Sequence, residues 1–161
     1  MPNRFIGQKD IDTFDKINKE LVGNLLTSQD GYINQTVVVY KISVNETETN
    51  MYGEAGKGKI FNPGVQLACI VDAADMEYNT DEFGPDLRQT ATFSFLRQSL
   101  VDVDYVVDIG DVIEWNESYW EIGSLNENQL VAGQQSNSHS IIANTFMIRV
   151  ANLNIEEVRS L

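Results

Sequence analysis

The sequence predicts a mainly β protein: a small β-barrel or sandwich with an N-terminal helix and long projecting loops. Three observations lead there. Short apolar runs separated by turn residues fill most of the chain, one stretch alone shows helical periodicity, and two polar connections exceed the usual length of a loop. At 161 residues the chain is long enough to bury a core without disulfides or metals. Residues 1–161 read as a single domain. Within it, 1–30 form the N-terminal helix and arm, 33–150 the β-rich body and 151–161 a C-terminal arm or short helix.

The helix is expected over residues 10–27. Phe14, Ile17, Leu21 and Leu25 recur at spacings of three and four and form a single apolar stripe. Asp10 or Asp12 is placed to cap its start, and "TSQDG" supplies a stop. Such a stripe packs on its own domain or, in an assembly protein, docks on a neighbour.

The strands follow in order. In "VVVYKISV", Val38, Tyr40, Ile42 and Val44 face one way and Lys41 and Ser43 the other, which is the period of a half-buried strand. "VQLACIV", "ATFSFLR", "DVIEW", "YWEIGSL" and "NTFMIRV" are the further strands. The short "NES" between the fourth and fifth of these six signals a hairpin. The two long polar loops are residues 45–59 and 72–89, and a third, "GQQSNSHS", reads as mobile. There is no internal repeat or low-complexity tract.

Composition narrows the function. Apolar content of 42% and charged content of 22% are those of a globular protein. A net charge of −13, from 24 acidic and 11 basic residues, argues against a nucleic-acid-clasping surface, because such surfaces draw affinity from Lys and Arg neutralising phosphates. An acidic surface does suit a wall that DNA slides past without being gripped. The single cysteine, Cys69, lies in an apolar run and reads as a buried thiol. "MPNRFIGQKD" lacks the apolar core of a secretory signal and no segment has membrane-spanning length, so folding in a cytoplasm is expected. The sequons at Asn34, Asn45 and Asn116 then carry little meaning.

Several chemical patterns fail on context. Residues 53–59 meet the spacing of a phosphate-cradling loop, but Ile60 replaces the magnesium-binding hydroxyl and "NPG" follows where a helix should begin. A glycine-rich hairpin tip is the better reading. His139 is the only histidine and sits in a Ser/Asn/Gln-rich stretch, so it is expected to be exposed and non-catalytic. Asp72, Asp75, Glu77, Asp81, Glu82 and Asp86 lack the spacing and central glycine of a calcium loop and read as a solvated acidic loop. The cluster Trp115, Tyr119 and Trp120 invites a sugar-binding platform, but strand alternation sends some of these rings into the core. No catalytic, cofactor-binding or metal-binding residue is assigned.

Between residues 36 and 130 the phrases "VYKIS", "YGEA", "PG", "FGPD", "FLR", "GD-IEW" and "Y-EI" followed by "ENQ" occur in succession. This succession resembles the neck proteins of contractile-tailed bacteriophages, which form part of the head-to-tail connector. The resemblance implies a non-enzymatic virion structural protein located at the neck and assembled in the host bacterial cytoplasm. It implies a homo-oligomeric ring, six- or twelve-fold, between the portal or its adaptor and the tail-terminator or other tail proteins. Double-stranded DNA would pass through the channel without specific binding, and neither cofactor nor membrane is involved. On that reading the long loops make the assembly contacts, through Tyr52, Glu54, Lys57 and Lys59 in the first and Glu82, Phe83, Asp86 and Arg88 in the second. Lys57 and Lys59 would face acidic neighbours. The alternatives are a tail-terminator or baseplate-associated component and, from another class, a carbohydrate-binding module using Trp115 and Trp120 or, more distantly, a glycosidase.

Overall fold

A computed structural model describes residues 7–23, 31–33, 35–45, 47, 58–81, 84–130, 138–149 and 155. Eight strands and two helices occur among them: α1 (Gln8–Val22), β1 (Thr36–Tyr40), β2 (Val65–Ala73), β3 (Glu77–Asp81), β4 (Gly84–Arg88), β5 (Thr90–Leu96), α2 (Arg97–Val103), β6 (Val112–Trp115), β7 (Ser118–Leu130) and β8 (Ser138–Ile148). Six strands close a barrel in the order β1-β2-β5-β8-β7-β6, and β3 with β4 forms a separate two-stranded sheet. Antiparallel pairing of Val38 with Glu114, Val39 with Ile113 and Tyr40 with Val112 closes the ring. The mainly β expectation holds, and of its two forms the barrel is the one found.

Alternate residues of all six barrel strands fill the lumen. Val37 and Val39, Leu67 and Cys69, Phe93 and Phe95, Ile113, Trp120 and Ile122, and Ile141 and Ala143 form one buried cluster. Closure requires the sheet to bend, and β7 bends at Gly123, where its register against β8 shifts between Ile122 and Ser124. The extra residue reverses the alternation, so Trp120 and Ile122 face inward before it and Leu125 packs against the lumen after it. A Cβ at Gly123 would lie 3.3 Å from the Phe146 ring, so glycine lets that ring pack against the bulge.

The first strand corrects the expected alternation. Val38, Tyr40 and Ile42 do share a face, but that face is the outside of the barrel, where they join Phe61, Val112, Tyr119 and Ile155 in a second cluster. The lumen takes Val37 and Val39 instead, both almost wholly buried. A strand apolar on both faces hides which side is the core. Val44 lies beyond either cluster, 81% exposed.

Four further differences follow. Helix α1 begins at Gln8, with Gly7 rather than an aspartate at its cap, and Asp10 falls in the first turn, where the helix dipole favours its charge. The helix stops at Gly23, whose φ of 93° few other residues adopt; the rest of the expected span, 24–27, lies outside the described residues. Helix α2 continues directly from β5, and its Leu100 packs against the lumen cluster. The polar stretch 72–89 is not a loop: β2 runs on to Ala73, and β3 and β4 then pair from Glu77–Arg88 to Asp81–Gly84. They make a hairpin arm. His139, expected in a mobile loop, is half-buried in β8, its ring centroid 6.3 Å from that of Phe14. Of the C-terminal segment only Ile155 is described; it is helical and completely buried.

Candidate assembly surfaces

A closed barrel has no free sheet edge, so its strands offer none for pairing with another chain. Two attached elements turn apolar side chains outward. The first is the arm. In its register Tyr78 lies opposite Leu87 and Glu77 opposite Arg88, so strand alternation separates an apolar from a polar side. Tyr78 is 70% exposed and Leu87 40%, with Met76 at the arm's base 60% exposed. The arm's backbone is anchored where Ala74 N–H donates to Thr90 O (2.9 Å), Gln89 Nε2 donates to Ala74 O (2.8 Å) and Met147 N–H donates to Gln89 O (3.0 Å).

The second is α1. It meets the body through Val22, buried with Ala68 and Leu96, while Lys19 Nζ bonds Asp102 Oδ2 of α2 at 2.9 Å. Ile11, Asp15, Asn18 and Lys19 are half-buried on that side. The stripe Phe14, Ile17 and Leu21 faces mainly to solvent, 53%, 50% and 43% exposed, with Phe14 at its edge beside His139 of β8. The expectation that this stripe either packs on its own domain or docks elsewhere resolves into a helix that packs by its other side. Leu25 lies outside the described residues.

At the 45–59 hairpin the stem is described and the tip is not. Ile42 and Phe61 form an antiparallel bridge, with Ser43 N–H donating to Ile60 O and Asn62 N–H donating to Lys41 O, each at 2.8 Å. Ile60 and Phe61 thus belong to a paired stem and not to a helix N-terminus, which removes the phosphate-loop context. The stem is tied to the connection at residues 104–111. Lys41 Nζ bonds Asp108 Oδ2 at 2.6 Å and Val106 O at 2.9 Å, and lies 5.8 Å from the centre of the Tyr105 ring. Asp111, almost wholly buried, accepts the Ile42 N–H at 3.3 Å and the Asp108 N–H at 2.9 Å. Burial raises the Asp111 carboxyl above its usual range, against the downward pull of those two amides and of Lys41. Burial, with Asp111 and Asp108 nearby, also holds the Tyr105 phenol well above its ordinary value. Sequence reading passed over this cluster; "DIGD", two acids around a glycine turn, was its only trace.

Three of the eight expected contact residues lie among the described residues. Tyr52, Glu54, Lys57, Glu82 and Phe83 lie outside the described residues. Lys59 Nζ bonds Glu121 Oε1 of the same chain at 2.7 Å. Asp86 and Arg88 are on β4, in register with Asn79 and Glu77. What sequence reading missed is the apolar face of the arm, although Tyr78 and Leu87 stood in the right segment; the stripe of Phe14, Ile17 and Leu21 was recognised, with docking on a neighbour as one of its two readings. Among the aromatic residues, Trp120 is 2% exposed and Tyr119 4%, and the Phe93 ring stands edge-on 6.0 Å from Trp115 and 6.2 Å from Trp120. A sugar platform would have to do without Trp120.

Among the described residues no group of three or more His, Cys, Asp and Glu side chains is arranged to hold a metal, and no helix is long and apolar enough to cross a membrane. No protein-family model matches the chain, and no curated protein matches it. Among solved structures, a chain from the virion of native gene transfer agent (GTA) particle is similar, 11% identical with a TM-score of 0.44, over 71% of this chain and 94% of that chain. A likeness of that size says nothing about what this chain does.

Proposed function

We propose that this chain is a structural protein of a phage virion, a ring-forming subunit of the neck that joins the portal and its adaptor to the tail around the DNA channel. The observation that carries the assembly part is the pairing of a closed, self-sufficient barrel with two attached elements whose apolar faces are turned to solvent. Exposed apolar side chains grouped on projecting elements mark contact surfaces. The neck assignment rests on the succession of phrases between residues 36 and 130 that resembles neck proteins. The net charge of −13 supports a channel wall that DNA passes without being gripped.

Cryo-electron microscopy of the intact parent particle tests the assignment. The expected result is this barrel repeated in a ring between the portal and the tail. Its absence from the neck, or a ring lumen lined mainly by Lys and Arg, would overturn the reading.

A further inference from the structure

Gln66, Val38 and Glu114 stand side by side across β2, β1 and β6, because Val38 pairs with Gln66 on one flank and with Glu114 on the other. Cross-strand partners share a face, and Val38 is on the outside of the barrel, so all three are outside it. The row leads to the Asn116–Glu117 turn that joins β6 to β7. Row and turn together line a groove of about 470 Å³, within the range of small-molecule sites. Its walls are strands and a two-residue turn, so little has to be ordered when a ligand enters.

The lining selects by chemistry. Gln35, Gln66 and Asn116 bring amides, which both donate and accept, and Glu114 and Glu117 bring carboxylates, which accept. Among the described residues no Lys, Arg or His lines the groove, so a phosphate or carboxylate would meet two glutamates without a compensating cation. Val38 and the half-buried indole of Trp115 add a small apolar area. A neutral sugar presents the counterparts of all of these: hydroxyls that donate, hydroxyls that accept, and an apolar C–H face. Both glutamates are held in place. Tyr40 O–H donates to Glu114 Oε2 at 2.8 Å. Glu117 keeps a φ of 59° at a turn position where glycine would be unstrained, and strain of that kind gathers where a ligand is held.

We propose that this groove binds a short neutral saccharide, with Gln66, Asn116 and Glu117 as its hydrogen-bonding residues beside Glu114 and Trp115. The site does not depend on the neck reading. It also differs from a platform of Trp115 with Trp120, because Trp120 is packed in the lumen.

Heteronuclear NMR titration of the full chain is the test, with lactose, maltose, cellobiose and N,N′-diacetylchitobiose as probes, each to about 50 mM. At least one of them shifts amide resonances saturably, the shifts centred on residues 35–38, 66 and 114–117, with a Kd of about 1–10 mM. Gln66→Ala, at an exposed position, weakens that binding about fivefold and leaves the melting temperature unchanged. Glu117→Gly weakens it by a similar factor while raising the melting temperature, which separates loss of the ligand from loss of the fold. Arginine amide, a cationic probe, is expected to leave the same resonances in place. The proposal is overturned if no sugar gives a saturable shift, if the shifts centre elsewhere, or if both variants bind as the wild type does. Shifts at these residues with arginine amide and with none of the sugars overturn it too, and make the groove a site for a basic side chain. None of these results touches the neck assignment, which the particle images decide separately.

Discussion

Asp111 is 2% exposed, yet its carboxyl holds two backbone amides from different parts of the chain. Replacing it with alanine leaves the Ile42 and Asp108 N–H groups without their acceptor, at an expected cost of about 2 kcal/mol in urea unfolding. Its pH dependence has a definite sign. Because the folded-state pKa is raised, the folded chain holds this proton more tightly than the unfolded chain does. The group's contribution to stability is therefore full below the unfolded carboxyl range and is lost as pH rises through the folded value. Measured from acid toward neutral pH, the stability of the wild type minus that of Asp111→Asn should fall; a rise would mean that the two amides and Lys41 outweigh burial. Cys69 makes a parallel case. Burial pushes its thiol up to about 12, so the folded protein should resist thiol reagents at pH 8 and react only on unfolding. Prompt modification of the native protein would show the lumen open to solvent around it.

At the scale of the element, the β6–β7 hairpin was the most legible part of the chain. Its connection is two residues, Asn116 and Glu117, both with positive φ (51° and 59°), the signature of the turn whose twist matches the strands. Asparagine accepts that conformation readily and glutamate does not. Glu117→Gly should therefore stabilise the protein by about 1 kcal/mol and raise its melting temperature by about 2–4 °C in a thermal melt. A drop would mean that the Glu117 side chain carries a contact outweighing its backbone strain. The arm was the least legible. "EYNTD" and "GPDLR" are rich in Asn, Asp, Gly and Pro, which resist β-structure, so propensity read them as a loop. What makes them strands is their pairing with each other, which sets Tyr78 against Leu87. The α1 stripe was legible as a pattern but not in direction, since periodicity reports that residues share a face and not what covers it. Helix α2 had no sequence signal of its own: two turns, no side-chain cap, and an origin inside what read as the end of a strand.

For the whole molecule, barrel closure decides which parts can be removed. The lumen cluster draws on all six barrel strands and α2, and the outer cluster seals the side where β1, β6 and β7 meet. Neither cluster, nor the small one beneath α1, includes any described residue between Ala74 and Gln89. The arm's strands pair only with each other, while Ala74 and Gln89 below them are fastened to β5 and β8 by their own hydrogen bonds. The arm is thus attached to the cooperative unit without being part of it. Replacing residues 77–88 with an Asn-Gly turn should leave a barrel that unfolds in one transition, its melting temperature within about 5 °C of the parent. A shortened protein that unfolds far earlier or in two steps would place the arm inside the folding unit.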